Sequence, residues 1–190
     1  MKKRILIAED ESLIRMDIRL MLEDSGYEVV AEAGNGDKAI ELAFQHRPDL
    51  VLMDIKMPKI NGLQASQVIA SQLDLPILLI TAYSQKEFIE KARQDNIIGY
   101  LVKPISEANL LPAVEIALHQ AEKAKRLKAD VKDAKNAVEK RKLVERAKGI
   151  LMDRDNLSEP EAFKQMRTAS MSRQITLESL AKEIIEQVHN

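Results

Sequence analysis

The feature that most limits what this chain can become is a set of short, unbroken apolar runs in its first hundred residues. Four are plain: Ile5-Leu6-Ile7-Ala8, Leu50-Val51-Leu52-Met53, Ile77-Leu78-Leu79-Ile80 and Tyr100-Leu101-Val102; a weaker one, Val29-Val30-Ala31, lies between the first two. An alternating strand wets one face, whereas a continuous run buries both, which is what a parallel sheet covered by helices on each side requires. Helical spacing fills the gaps between the runs. Leu13, Ile14, Met16, Ile18, Met21 and Leu22 form one pattern, Ala39, Ile40, Leu42 and Ala43 a second, Ala65, Val68 and Ile69 a third, and Phe88, Ile89 and Ala92 a fourth. Strand and helix alternating in this way predict a doubly wound α/β domain over residues 1–118, a five-stranded parallel sheet of flavodoxin-like form.

The rest of the chain obeys a different rule. After Pro112 neither Gly nor Pro occurs until Gly149, and 113–152 reads as one long helix. Ala117, Ala121, Ala124, Leu127, Val131, Ala134 and Val138 recur on it at steps of three and four, a coiled-coil seam weakened by its alanines. Pairing along it is expected to be marginal and concentration-dependent, and a solvated spacer is the plainer alternative. We take 119–137 as this helical linker and 138–190 as a three-helix bundle. A turn is expected at 153–157, and Ser158-Glu159-Pro160-Glu161 then has the form of a capping box with proline in the first turn. The second helix should run to Ala169, and the third should start after a Thr176 cap and use Leu177, Leu180, Ala181, Ile184, Ile185 and Val188. Phe163, the one aromatic of the tail, is expected in its core.

Charge divides at the same places. Residues 1–118 carry 13 Lys+Arg against 18 Asp+Glu, 119–149 carry 11 against 5, and 150–190 carry 5 against 7, so the overall −1 conceals an acidic domain followed by a basic helix. Two such parts are expected to have different partners. No apolar run approaches the roughly 18 residues that span a bilayer, and the stretch after Lys2-Lys3-Arg4 ends at Glu9-Asp10-Glu11, too soon for a signal-peptide core. A cytoplasmic protein with no membrane association is expected. The absence of cysteine excludes disulfides, thiolate nucleophiles and cysteine-bound zinc, and the separated His46, His119 and His189 make no histidine-rich metal site.

In an open α/β sheet, ligands bind beyond the carboxyl ends of the strands. Four of the five runs end there in polar groups: Glu9-Asp10, Asp54, Thr81 and Lys103-Pro104. Converging carboxylates raise one another's pKa unless a cation intervenes, and hard oxygen ligands with an ammonium nearby favour Mg2+. A carboxylate held against that ion can attack a phosphoryl group, with the metal and Lys103 neutralising the transferred oxygens. Asp54, central in the sheet, is the candidate nucleophile.

With Glu9-Asp10, Asp54 followed by Met57-Pro58 and Gly62, Thr81-Ala82 and Lys103-Pro104 in this order, residues 1–118 resemble the receiver domain of two-component response regulators. The resemblance implies that Asp54 accepts phosphate from a sensor histidine kinase. It implies Mg2+ bound by Asp10, Asp54 and the backbone carbonyl of Lys56, with Glu9 acting through water. Thr81 and Lys103 would hold the phosphate, Ala82 would follow Thr81 in the switch, and Tyr100 would rotate inward as Thr81 moves. Acceptance and loss of this phosphoryl group is the only chemistry expected, with no dedicated catalytic output. A haloacid-dehalogenase-type phosphatase also uses an aspartate nucleophile and Mg2+, but it resembles Asp-x-Asp, and Lys56 stands where its general acid would be. Pro112 departs from the pattern, lying about five residues into the fifth receiver helix if Ser106 caps it. That helix must start later or bend.

The tail resembles the ANTAR domain, an RNA-binding antitermination module, through Arg141, Arg146-Ala147-Lys148-Gly149-Ile150-Leu151-Met152, Glu161-Ala162-Phe163, Met166-Arg167, Ala169-Ser170-Met171 and 177–181. Within that family the chain also resembles the ethanolamine-utilisation antiterminators, a weaker likeness than that to the family. The resemblance implies binding of paired RNA hairpins, with Arg141, Arg146, Ala147, Lys148, Gly149, Arg167 and Ser170 at the RNA, and the one continuous helix joining the two parts leads us to expect a homodimer that phosphorylation promotes. Gly149 inside a helix costs about 1 kcal/mol relative to alanine, so either tight helix packing or a nucleotide approaching beside Lys148 should explain it. With its one aromatic buried, the tail would lack a stacking platform and read a shaped loop through Arg, Lys and hydroxyls. A DNA-binding transcription factor or a protein-interaction output remains the alternative.

Overall fold

The computed structural model describes residues 2–82 and 97–187. Its elements run β1 (Arg4–Ala8), α1 (Ser12–Asp24), β2 (Glu28–Ala33), α2 (Gly36–His46), β3 (Leu50–Asp54), α3 (Gly62–Gln72), β4 (Ile77–Thr81), β5 (Ile97–Val102), α4 (Glu107–Asp155), α5 (Glu159–Ser172) and α6 (Leu177–Glu186). The expected helix at Phe88, Ile89 and Ala92 lies outside the described residues, as does Val188. The chain divides into two compact units, 1–125 and 126–190.

The first unit holds the five-stranded parallel sheet in the order β2-β1-β3-β4-β5. Its strands show why continuous apolar runs were needed. Leu6, Ala8, Val51, Met53, Ile77 and Leu79 face one core, shared with Ala39 and Ala43 of α2 and Ala65 and Ile69 of α3. Their neighbours Ile5, Ile7, Leu50, Leu52, Leu78 and Ile80 face the other, closed by Ile18 and Leu22 of α1 and by Leu110, Val114 and Ala117 of α4. Each run therefore feeds both cores by simple alternation of side-chain direction. The two crossings from β1, outward to β2 and inward to β3, put the reversal of strand order beside the ends of β1 and β3.

The long helix starts at Glu107, where the Ser106 carbonyl accepts from the amides of Asn109 and Leu110, and not later. Pro112 therefore sits inside it, with no N–H to donate to the preceding turn. The helix also outruns the expected turn at 153–157. It continues to Asp155 and stops where Asn156 adopts a left-handed conformation, φ 51°.

In the second unit the end of α4 packs with α5 and α6 around Ala147, Leu151, Ala162, Met166, Leu180, Ala181 and Ile184. Ser158 and Glu161 form the expected capping box with proline in the first turn, and Thr176 caps α6 by accepting from the Ser179 amide. The second helix extends past Ala169 to Ser172. Phe163 corrects the sequence reading: it is 41% exposed. Its neighbours Ala162 and Met166 fill the core side of α5, so the ring, one residue round the helix from Ala162, faces outward.

Candidate functional site

β1, β3 and β4 deliver their last residues to one place. Glu9 follows β1 and is fully buried, Asp54 closes β3 at 3% exposure, and Thr81 closes β4 at 6%. One oxygen from each of Glu9, Asp10 and Asp54 lies within 4.8 Å of the others, with Asp10 the exposed member. From the strand beyond, Lys103 reaches in: its ammonium donates to Asp54 Oδ2 at 2.8 Å and to Glu9 Oε1 at 3.0 Å, and stands 3.7 Å from Glu11 Oε1. Gly62 fixes the floor. A side chain there would overlap the Asp54 carbonyl, so α3 can press its first turn against the end of β3 only through glycine. Asn61 caps that turn, sharing a capping box with Gln64.

The electrostatics of the pocket follow from burial. Loss of water pushes the Glu9 carboxyl up to about 7 from an ordinary 4.5; the hydrogen bond from Lys103 opposes the rise and the neighbouring Asp54 adds to it. Burial alone would lower Lys103, but Asp54 and Glu9 outweigh it and hold the ammonium above its usual value. Glu9 Oε2 is buried without a hydrogen bond, and although Lys103 Nζ is 2.9 Å away it is not aligned to donate there. An acceptor left over in a nest of carboxylates is what an oxygen-liganded divalent cation requires, so Glu9, Asp10 and Asp54 fit Mg2+.

Of the remaining expected residues, Lys56 follows β3 and donates its amide to Asp54 Oδ1 at 3.2 Å, Ala82 is exposed after β4, and Tyr100 points outward at 50% exposure. One participant had no signal in the sequence. Arg15 of α1 donates to the Glu9 carbonyl at 2.6 Å and pairs with Glu32 of β2 at 3.3 Å, tying the backbone of the pocket to the edge of the sheet.

The structure sorts the seven residues expected at the RNA into two groups. Arg141, Arg146 and Arg167 are exposed and, among the described residues, have no acidic partner. Ala147 is fully buried in the bundle core. Lys148 is 7% exposed, its ammonium held by Glu145 at 2.8 Å and Glu159 at 2.7 Å, and these carboxylates raise its pKa. Ser170 spends its hydroxyl on the Ile175 carbonyl at 2.8 Å, closing the turn between α5 and α6. A side chain added at Gly149 would meet nothing within 4 Å, which removes tight helix packing as the reason for glycine there. Lys164, also exposed and without an acidic partner, joins the three arginines, whereas Lys140, Lys142, Arg154, Arg173 and Lys182 are all ion-paired.

Comparison with known proteins agrees with both halves. Residues 5–115 match the response regulator receiver domain and 132–185 the ANTAR domain. The chain is 46% identical over 184 residues to the transcriptional regulatory protein PdtaR of Mycobacterium tuberculosis, covering 97% of this chain and 90% of that one. It is 39% identical to the chemotaxis protein CheY of Bacillus subtilis over 121 residues, 63% of this chain and all of CheY. Among solved structures, the signal receiver domain of a modulated diguanylate cyclase from Desulfovibrio desulfuricans superposes with a TM-score of 0.60 at 32% identity, covering 64% of this chain and 98% of that one. The chain belongs to the response regulators, with a CheY-like receiver and a C-terminal ANTAR domain. It is thus a phosphorylation-regulated protein with an RNA-binding output, and receivers of this kind bind Mg2+ at their acidic pocket. The narrower likeness to ethanolamine-utilisation regulators gains no support from these matches. No helix among the described residues is long and apolar enough to cross a membrane.

Proposed function

We propose that the protein is an antiterminator: phosphorylation of Asp54 by a sensor histidine kinase promotes homodimerisation along α4, and the paired bundles then hold two RNA hairpins and keep a terminator from forming. In the phosphoryl transfer, an Asp54 carboxylate oxygen attacks phosphorus, the bond to the kinase histidine nitrogen breaks with its electron pair going to that nitrogen, and the imidazole, protonated on its other ring nitrogen, leaves as the neutral ring. Mg2+, held by Asp10, Asp54 and the Lys56 carbonyl with Glu9 acting through water, would neutralise charge on the transferred oxygens. Lys103, already 2.8 Å from Asp54, supplies the second positive charge, and the Thr81 hydroxyl at the end of β4 supplies a hydrogen bond. Ala82 and Tyr100 carry the change outward to the surface of β5. The chain has no catalytic output beyond acceptance and loss of this group.

The observation that carries the reading is the continuity of α4. One helix, Glu107–Asp155, closes a receiver core with Leu110 and Val114 and supplies Ala147 and Leu151 to the bundle. Between them it leaves Leu127, Val131 and Val138 about half exposed, at spacings of four and seven. Two bundles on a paired helix see a second hairpin at high effective concentration. The test is binding of purified protein to a two-hairpin RNA and to duplex DNA at one salt concentration, with and without Mg2+ and a small-molecule phosphodonor, alongside sedimentation. Donor-dependent dimers that prefer the RNA are expected. Equal sedimentation and equal binding with and without donor, or preference for DNA, would overturn the proposal.

A further inference from the structure

The ring of Phe163 lies at the surface of the bundle with cations beside it. The bundle leaves a large part of this apolar ring in water, at 41% exposure. On α5 the ring is followed at helical spacing by Arg167 and Met171, the latter 70% exposed, so an aromatic, a guanidinium and a thioether line one exposed stripe. Lys148 backs the ring, its ammonium 6.0 Å from the centroid and locked between Glu145 and Glu159. Arg167 and Lys164, exposed on the same helix, have no acidic partner among the described residues.

We infer that Phe163 is a base-stacking residue: an unpaired nucleobase of an RNA loop lies on its exposed face, while Arg167 and Lys164 take the flanking phosphates. The inference rests on the RNA-binding reading above and deepens it. Three features select a nucleic acid base over another occupant. A stacked base needs a flat π-face with open space in front, which a half-exposed phenylalanine offers and an aliphatic side chain does not. A phosphate needs a cation whose charge is not already satisfied, and α5 presents two such groups within one turn of the ring. Lys148 is held in place by its two carboxylates, so the ring rests on a fixed support and loses little freedom on binding. A second copy of the chain docking here by hydrophobic contact would have to strip water from Arg167 and Lys164, which is costly.

The bland role for Phe163 is to shield the Lys148 stem, and leucine at that position would do so equally well. The decisive variant is therefore Phe163→Leu, with Phe163→Trp as the conservative partner. The full-length protein, with Mg2+ and phosphodonor, is first used to select binders from a pool of RNA hairpins with randomised loops. A selected hairpin is then made with 2-aminopurine at one loop position at a time. Quenching of a single loop position by the wild-type protein is expected, retained by Phe163→Trp and lost in Phe163→Leu, with affinity falling about ten- to a hundredfold in the leucine variant and circular dichroism unchanged. Phe163→Leu binding the RNA as tightly as wild type, with the same quenching, would overturn the inference while leaving the RNA-binding reading intact. Selection of no hairpin at all would overturn the RNA-binding reading and this inference with it. Loss of dimer in Phe163→Leu, seen by sedimentation without RNA, would assign the face to a second copy of the chain and overturn the inference.

Discussion

Two lysines in this chain are held in nearly the same way and serve different ends. Lys103 and Lys148 both lie largely out of solvent, each with an ammonium within 3.0 Å of two carboxylates. The difference is on the acidic side. The partners of Lys103 are themselves buried, Glu9 at 0% and Asp54 at 4% side-chain exposure, whereas those of Lys148 are 54% and 65% exposed. A carboxylate that keeps its water gains little from a lysine and loses little without it. One that has given up its water depends on the cation, and that dependence is what a transferred phosphoryl group can exploit. The same ion pair is thus a reactive arrangement in the receiver and a support in the bundle.

The strongest way to break this comparison is at Asp54. Asp54→Ala should abolish donor-dependent phosphorylation, seen as loss of the phosphoryl mass increment in intact-protein mass spectrometry, while the sheet stays folded; retained incorporation would remove Asp54 from its role. Next in size is the removal of each lysine. Lys103→Met should destabilise the Mg2+-free receiver by on the order of 3 kcal/mol in urea unfolding, since it strands two buried carboxylates. Lys148→Met should move the bundle transition by clearly less, because Glu145 and Glu159 simply rehydrate; equal shifts would show that partner exposure does not govern the outcome.

The pH dependence sharpens the same contrast. Glu9 binds its proton more tightly in the folded protein than its ordinary 4.5 would allow, so its stabilising contribution without metal is complete below about pH 4.5 and is lost as pH rises through about 7. Mg2+ needs the carboxylate, so its affinity should climb about tenfold per pH unit below 7 and flatten above it. Titration calorimetry in buffers of different ionisation enthalpy reads the displaced proton directly, and an affinity independent of pH between 5 and 7 would contradict this. The smallest effects belong to the free cations. Arg141→Ala, Arg146→Ala and Arg167→Ala should each lower the salt slope of RNA binding by about one counterion. Lys148→Ala, whose ammonium is already engaged, should leave that slope unchanged.

How much of this was legible beforehand also differs between the two regions. The receiver announced itself because a buried parallel sheet demands continuous apolar runs, and because its polar groups stand at the ends of those runs, where Glu9, Asp54, Thr81 and Lys103 must converge. The bundle offered a motif but no geometry. Ala147 and Lys148 lie in its most specific stretch, yet one is core and the other is clamped. Half of that clamp was readable, since Glu145 precedes Lys148 by three residues; Glu159 arrives across the turn and was not. Arg146 and Arg167 had a usable signal, for neither has an acid three or four residues away on its helix. Phe163 misled because a lone aromatic in a small bundle is expected inside, and only the packing of Ala162 and Met166 shows that the core was already full.

The glycine beneath Asp54 ties the nucleophile closely to the start of α3. Because even a methyl group at Gly62 would overlap the carbonyl of the nucleophile, the first turn of α3 and the end of β3 have no room to shift toward each other. Thr81 closes β4 with Ala82 after it, and Lys103 follows β5, so these groups enter the pocket from other parts of the sheet, away from that contact. Gly62→Ala would therefore damage the fold at the nucleophile itself, because its methyl group would overlap a backbone carbonyl that has no cheap way to move aside.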